Sequence, residues 1–262
     1  MTNGTTLVSV IIPTYNRRDL LKRAIRSAQD QTIENIEILV CDDGSTDDTK
    51  ETIEKISKED ARVRFIPGVH SGRPASPRNN GIGVSRAEWV AFLDSDDYWH
   101  TGKLERQLNH VRKNNALACC TNALCIRNNR TEQNPMSSFS ESYITFENLL
   151  KSNHVICSSV LIKRNTLEGV GPFPVSDLII EDYAMWLRIS SITSFLFLNE
   201  NLTFYNDDTE DSIRKKDIQD TLLQKEYILK DYLRWSFGYP FSWKTLGALL
   251  EYSKIKFKTL FK

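Results

Sequence analysis

Trp89-Val90-Ala91-Phe92-Leu93, followed directly by Asp94-Ser95-Asp96-Asp97, is the stretch on which the fold turns. The first five residues have the length and apolar make-up of a buried strand. The next four are acids and a hydroxyl. Carboxylates at i and i+2 near a strand end can hold a divalent metal, and they repel each other when nothing cationic is bound. A buried strand that ends this way fits a cation or a polyphosphate. A solvated turn capped by acids is the plain alternative, and three other segments weigh against it.

Upstream, two periods alternate. Leu7-Val8-Ser9-Val10-Ile11-Ile12 is a β-rich run ending at Pro13, and Leu20, Leu21, Ala24, Ile25 and Ala28 then recur at helical spacing. Ile36-Glu37-Ile38-Leu39-Val40 reads as a second strand, and Thr46-Asp47-Asp48 as a helix start with acids in its first turn. Val63-Arg64-Phe65-Ile66 is a third strand and 89–93 a fourth. This rhythm predicts an α/β fold: a mostly parallel sheet with helices on both faces. Downstream the pattern predicts a helix over 103–113, a strand over 116–126 and a polar loop over 127–142. A strand over 155–162, a helix over 181–192 and two late strands, 195–198 and 202–205, follow. The polar segment Asn206 to Ser212 marks the one candidate boundary. It divides a catalytic-sized unit, 1–205, from a helical C-terminal extension, 206–262.

Composition narrows the function. A chain of 262 residues holds one sizeable α/β domain, with or without a small appendage. Lys+Arg and Asp+Glu are 34 each, so the basic excess of a nucleic-acid binder is missing. The five cysteines have no CxxC spacing, which argues against structural zinc, and their odd number suggests reduced thiols in a cytosolic setting. Met1 to Leu7 is not a signal peptide, and no run approaches the roughly 20 apolar residues that span a bilayer.

In open parallel sheets, ligands bind outside the carboxyl ends of the strands. Besides 94–97, three loops expected there carry unusual residues: Pro13-Thr14-Tyr15-Asn16-Arg17, Asp42-Asp43-Gly44-Ser45 and Arg78-Asn79-Asn80-Gly81. Taken singly, each has an ordinary reading: a tight turn, a helix cap, a surface cation. Together they place carboxylates, small residues and a guanidinium on one rim. Neither a P-loop nor a dinucleotide fingerprint is present. Gly44 suits close approach of a ring or sugar, Asp43 can accept from a base imide or ribose hydroxyls, and Arg78 with a metal at Asp96 would neutralise a diphosphate.

The segments VSVIIPTYNR, CDDGSTDDT, PRNNGI, EWVAFLDSDDYW and IIEDYAMWLR, in this order over about residues 7 to 205, resemble family 2 glycosyltransferases. The resemblance implies the GT-A fold, a Rossmann-like sheet with a nucleotide-sugar half (about 1–100) and an acceptor half (about 101–205). It implies that Pro13, Thr14 and Asn16 contact the nucleotide, that Asp43 binds the base with Asp42 beside it, and that Arg78 lies near the diphosphate. Asp94, Ser95 and Asp96 match the DxD motif, with Asp96 the direct ligand of Mn²⁺ or Mg²⁺ and Asp94 beside it. Asp182 matches the catalytic base, although Glu181-Asp182 also reads as an acidic helix N-terminus. The implied reaction is inverting transfer from a nucleotide-sugar, with a UDP-sugar expected, to a hydroxyl of a glycan or lipid-linked acceptor. Two features depart from the family. Pro77 stands where an alanine is usual and removes an N–H. The QxxRW signature of processive synthases is absent, Asp231 standing before Leu233-Arg234-Trp235 where glutamine belongs.

Several features stay open at this level. Tyr98 and Trp99 fit a sugar-facing wall or core packing. The segment Gly68 to Pro77 fits a loop over bound donor or an ordinary surface loop. His154 and Cys157 read as structural. From Phe241 onward, Trp243, Leu246, Leu249, Leu250, Phe257, Leu260 and Phe261 recur near helical spacing among five lysines and one acid. That reads as a membrane-surface helix over 241–262, placing the protein peripherally on the inner face of the cell membrane, or as a docked helix with a solvated basic face. A nucleotidyltransferase and a non-catalytic nucleotide-sugar-binding module are the competing classes. The first normally has a Gly-rich basic loop after its first strand, which is lacking here.

Overall fold

The run read as the first strand forms β1 (Val8–Thr14), buried throughout because neighbours flank it on both sides. In the computed structural model, which describes residues 6–127, 130–133, 139, 142–175, 181–206 and 221–260, the chain alternates as its periodicity predicts. After β1 come α1 (Arg18–Gln29), β2 (Ile36–Asp42), α2 (Thr49–Glu59), β3 (Val63–Ile66), α3 (Ala75–Val84) and β4 (Trp89–Phe92). The second half holds β5 (Tyr98–Trp99), α4 (Lys103–Asn114), β6 (Ala118–Arg127), β7 (Arg130–Gln133), β8 (Tyr143–Ile144), α5 (Phe146–Lys151), β9 (Leu161–Lys163), α6 (Arg164–Val170), α7 (Glu181–Ile192) and β10 (Phe195–Asn206). Two helices close the chain, α8 (Thr221–Ser236) and α9 (Trp243–Leu260).

All ten strands join one sheet, in the order β3-β2-β1-β4-β9-β6-β10-β5, with β7 on β6 and β8 on β10. The strands β1, β2, β3, β4, β6 and β10 share one direction, and β9 runs against its neighbours β4 and β6. Alternate residues feed two cores. Val8, Val10 and Ile12 face α1, α2 and α4, while Ile11, Leu39 and Cys41 face the other layer. Trp186 of α7 anchors that second layer, with Phe173, Phe195 and Phe92 around it at centroid distances of 5.8, 5.6 and 6.1 Å.

The C-terminal helices belong to the same layer. Ile228, Leu229, Tyr232 and Leu233 of α8 and Ala248 and Ile255 of α9 pack into the core that holds Trp186. Asp231 explains itself here, since both its oxygens accept from Arg188 of α7, at 2.7 and 2.8 Å, and the two helices are tied together.

Some elements differ from the sequence reading. The apolar run 155–162 is not one strand: Cys157–Ser159 is a buried 3₁₀ turn, and only Leu161–Lys163 pairs. The two late strands are one, β10, with irregular register between Leu198 and Thr203. Arg78-Asn79-Asn80-Gly81 is not a loop but the middle of α3. Pro77 fits that helix because it sits in the first turn, where an N–H has no intrahelical partner. Parts of the polar excursion 127–142 and of 206–220 lie outside the described residues.

Candidate active site

The parallel strands end level with one another. Thr14 pairs with Asp42, and Leu93 donates to the Ile11 carbonyl, so the residues after β1, β2 and β4 form one rim. Gly81 lets α3 lie close on that rim: a Cβ there would stand 2.6 Å from Ile11 Cγ2 and 2.8 Å from Cys41 Sγ.

On the β2 side the acids are occupied by the backbone. Asp42 closes the Gly44 turn, its Oδ2 accepting from the Gly44 and Ser45 amides at 3.0 and 2.9 Å. Asp43 gathers the following loop. Its Oδ1 accepts from the Ser71 amide and hydroxyl at 3.0 and 2.7 Å, its Oδ2 accepts from the Gly72 amide at 2.9 Å, and His70 Nδ1 lies 3.2 Å from Oδ2. The His70 ring stacks on Tyr15 at 4.2 Å. The segment Gly68 to Pro77 is thus fastened to Asp43 rather than loose. Asn16, at φ 49, ties the first loop to the second: its amide nitrogen donates to Ser45 Oγ at 2.9 Å and its Oδ1 accepts from the Thr46 amide at 2.8 Å. Pro13 lies within buried β1. Thr14 Oγ1 is buried with no hydrogen-bond partner among the described residues.

On the β4 side the acids meet guanidinium groups. Arg17 Nη1 donates to Asp96 Oδ2 at 2.7 Å, and Arg23 Nη2 donates to the Asp96 carbonyl at 2.7 Å. Arg78 is buried at 3% exposure. Its Nη2 reaches Asp94 Oδ1 at 2.6 Å and its Nη1 reaches Glu181 Oε1 at 2.7 Å. Burial works against its charge, and Asp94 and Glu181 more than offset that. Arg78 is therefore a strut between the DxD loop and the first turn of α7, where Asp182 stands half-buried. Its Nε is a second buried polar atom without a partner among the described residues. Two such atoms on one rim are where a bound polar ligand is expected to make up the difference.

Burial, with the neighbouring Asp94 charge, pushes the Asp96 carboxyl up from its ordinary value, the Arg17 guanidinium pulling the other way. Burial and the neighbouring Asp182 charge raise Glu181 as well, the Arg78 guanidinium pulling the other way. Asp97 is raised further, by burial and by Asp96 and Asp94. It is a structural peg: it accepts from Ser158 Oγ and from the Asn206 amide, while Ser158 Oγ accepts from the Asp94 amide. Ser95 is buried beside these groups. Among the described residues no three His, Cys, Asp or Glu side chains cluster as a closed metal cage. Two carboxylates on an open rim instead fit an ion that takes its remaining ligands from a diphosphate and water.

Sequence reasoning missed Glu181 as the second partner of Arg78, Asp97 and Ser158 as supports of the acid loop, and His70 beside Asp43. Trp99 proves to be core: its indole N–H donates to the Ser158 carbonyl at 2.7 Å, and Lys103 Nζ sits 4.1 Å over its ring. Tyr98 stacks on Phe204 at 4.5 Å, with Arg23 over its ring.

A parallel sheet with acids at its carboxyl rim and a further carboxylate on a later helix is the arrangement the resemblance to sugar-transferring enzymes implied. Residues 9–171 match the model of glycosyl transferase family 2, and the chain belongs to that family. It is 37% identical over 185 residues to the UDP-Glc:alpha-D-GlcNAc-diphosphoundecaprenol beta-1,3-glucosyltransferase WfaP of Escherichia coli, covering 71% of this chain and 70% of that one. To the putative teichuronic acid biosynthesis glycosyltransferase TuaG of Bacillus subtilis (strain 168) it is 32% identical, covering 72% and 74%. Among solved structures, S. aureus TarS 1-349 in complex with UDP-GlcNAc superimposes with a TM-score of 0.74 over 95% of this chain and 71% of that one. At 18% identity, this shows the fold.

Proposed function

We propose that this glycosyltransferase moves a hexosyl or N-acetylhexosaminyl group, with inversion, from a UDP-sugar to a hydroxyl of a glycan carried on polyprenyl diphosphate, in O-antigen, capsule or related surface-polysaccharide assembly. The observation that carries the reading is the buried Arg78 strut, which holds the DxD acids and the Asp182 turn as one unit. The E. coli relative supports the substrate class, because its name specifies UDP-Glc as donor and a diphosphoundecaprenol-linked acceptor.

Asp96 and Asp94 would hold Mn²⁺ or Mg²⁺, which when bound supplies positive charge against the departing nucleoside diphosphate. The Arg17 guanidinium on Asp96 supports this reading, since it shows that carboxylate paired with a positive charge. Arg78 adds fixed charge behind Asp94. Asp182 takes the proton of the acceptor hydroxyl as its oxygen attacks the anomeric carbon, a contribution of roughly 10²–10⁴-fold. Pro13, Thr14, Asn16, Asp42 and Asp43 shape the nucleotide end. The Asp43 oxygens face Ser71, Gly72 and His70, so a base that binds Asp43 must take the place of the His70 contact. The enzyme works from the cytoplasmic side, at the membrane that carries such acceptors, with surface contact through 241–262.

A panel of nucleotide-sugars with Mn²⁺ and a polyprenyl-diphosphate-linked GlcNAc acceptor tests this, read by released nucleoside diphosphate and by the anomeric configuration of the product. Pyrophosphate exchange in place of diphosphate release overturns the reading, as does binding without turnover.

A further inference from the structure

An amphipathic helix needs one apolar face, and α9 has two. Thr245, Ala248 and Ile255 are buried on its inner side, against the core. On its outer side stand Trp243, Leu250 and Phe257, at 86%, 56% and 66% exposure. They are spaced by seven, about two turns each, so they form one stripe roughly 21 Å long. Phe241 and Phe237, at 70% and 78% exposure, continue apolar surface beyond the start of the helix. Large apolar side chains in a row on a surface mark a contact site.

Charge and composition indicate what covers it. From Tyr232 to Leu250 the chain carries Arg234 and Lys244 and no acid, and Lys254 lies on the same side as the stripe. Lys244 is partly engaged, donating to the Ser190 and Ser191 carbonyls at 3.2 and 2.9 Å, and Lys254 pairs with Glu251 at 2.7 Å. The surroundings are still cationic, and Trp and Phe are the side chains that settle at the headgroup level of a bilayer. No helix among the described residues is long and apolar enough to cross a membrane, so such contact lies along the surface.

We infer that the Trp243-Leu250-Phe257 stripe is the face with which the protein rests on an anionic lipid surface. The inference deepens the reading of a lipid-linked acceptor and rests on it. It moves the contact from the 241–262 segment as a whole to one side of α9, because the other side is committed to the core.

Deleting 241–262 would strip the core as well, so the test is substitution in the full chain. Trp243→Ser, Leu250→Ser and Phe257→Ser together leave the buried face intact, and the melting temperature of the triple variant is the control. Both proteins are sedimented with phosphatidylcholine vesicles containing about one third phosphatidylglycerol, and with phosphatidylcholine alone. The expected result is a bound fraction at least about tenfold lower for the variant, and stronger binding of the parent to the anionic vesicles. Equal binding by parent and variant overturns the inference. So does a parent that ignores both vesicles and forms a dimer which the variant does not form. Transfer to a short-chain, detergent-dissolved acceptor separates the two readings. Vesicle binding through the stripe without any transfer leaves the lipid contact standing and removes the transferase substrate. Normal transfer with no effect of the stripe on vesicles does the reverse.

Discussion

Among the described residues, the acid rim and the outer face of α9 are two surfaces built in opposite ways. At the rim, charges answer charges, Arg17 on Asp96 and Arg78 on Asp94 and Glu181, and the His70 ring lies against Asp43. On α9, the side chains of Trp243, Leu250 and Phe257 stand exposed. The difference teaches how each surface would take its ligand. The rim would bind by exchange, giving up one set of polar partners for another, so specificity would come from geometry and the net gain would be modest. The helix face binds by burial, which is non-directional and grows with area.

The sharpest way to break the comparison lies at the rim. Asp182→Asn should lower turnover by about 10²–10⁴-fold while UDP affinity holds within about twofold. Single-turnover release of diphosphate measures it, and near-normal turnover removes Asp182 from the chemistry. Arg78→Met leaves buried Glu181 and half-buried Asp94 without the cation they share and should cost about 3–5 kcal/mol in urea unfolding. A neutral result would mean that the strut is incidental. Asp96→Asn should weaken UDP binding at least about tenfold in Mn²⁺ and much less in its absence, read by calorimetry. Equal weakening under both conditions would assign Asp96 to Arg17 alone.

Lys103 tests a buried amine with no carboxylate ion pair among the described residues. It is fully buried, its Nζ donating to Gln107 Oε1 at 2.7 Å over the Trp99 ring, and burial lowers it from the ordinary 10.5 to about 7, the nearby Cys119 and Cys120 thiols acting the other way. Between those values the unfolded chain binds the extra proton. Stability should therefore rise with pH from 7 towards 10, by at most about 1.4 kcal/mol per unit, and flatten below 7. Lys103→Met should abolish the slope in urea midpoints. The smallest effect is expected at His70, where removing a ring stacked on Tyr15 should tighten UDP binding about two- to fivefold. Weaker binding in His70→Ala would make the ring a ligand contact rather than a competitor.

Much of the frame was legible because it is local. β1, α1, β2 and β3 carry clean two- or 3.6-residue periods, and the rim acids follow their strands directly. α3 was not legible. Pro77, Asn79, Asn80, Gly81 and Gly83 are poor helix formers, and the helix exists because Gly81 lets it sit on Ile11 and Cys41, which no local period announces. The 155–162 run misled for the opposite reason. Its residues are buried on all sides, and burial without periodicity does not separate a strand from a turn. In the site, Asp94 and Asp96 were singled out as paired acids at a strand end, and the role given to Asp182 came from the resemblance alone. Glu181 and Asp97 were not told apart from their acidic neighbours, since what distinguishes them is a partner far along the chain.

That distance has a consequence. Arg78 and Glu181 are separated by 103 positions, and one guanidinium fastens both ends. A ribosome adds 103 further residues after Arg78 before the second end exists. The amino-terminal half is therefore not a spare cartridge that evolution can trade alone. Any recombination that imports its acid loop must also import the opening turn of the later helix, or lock a cation in the interior with half of its counterweight gone.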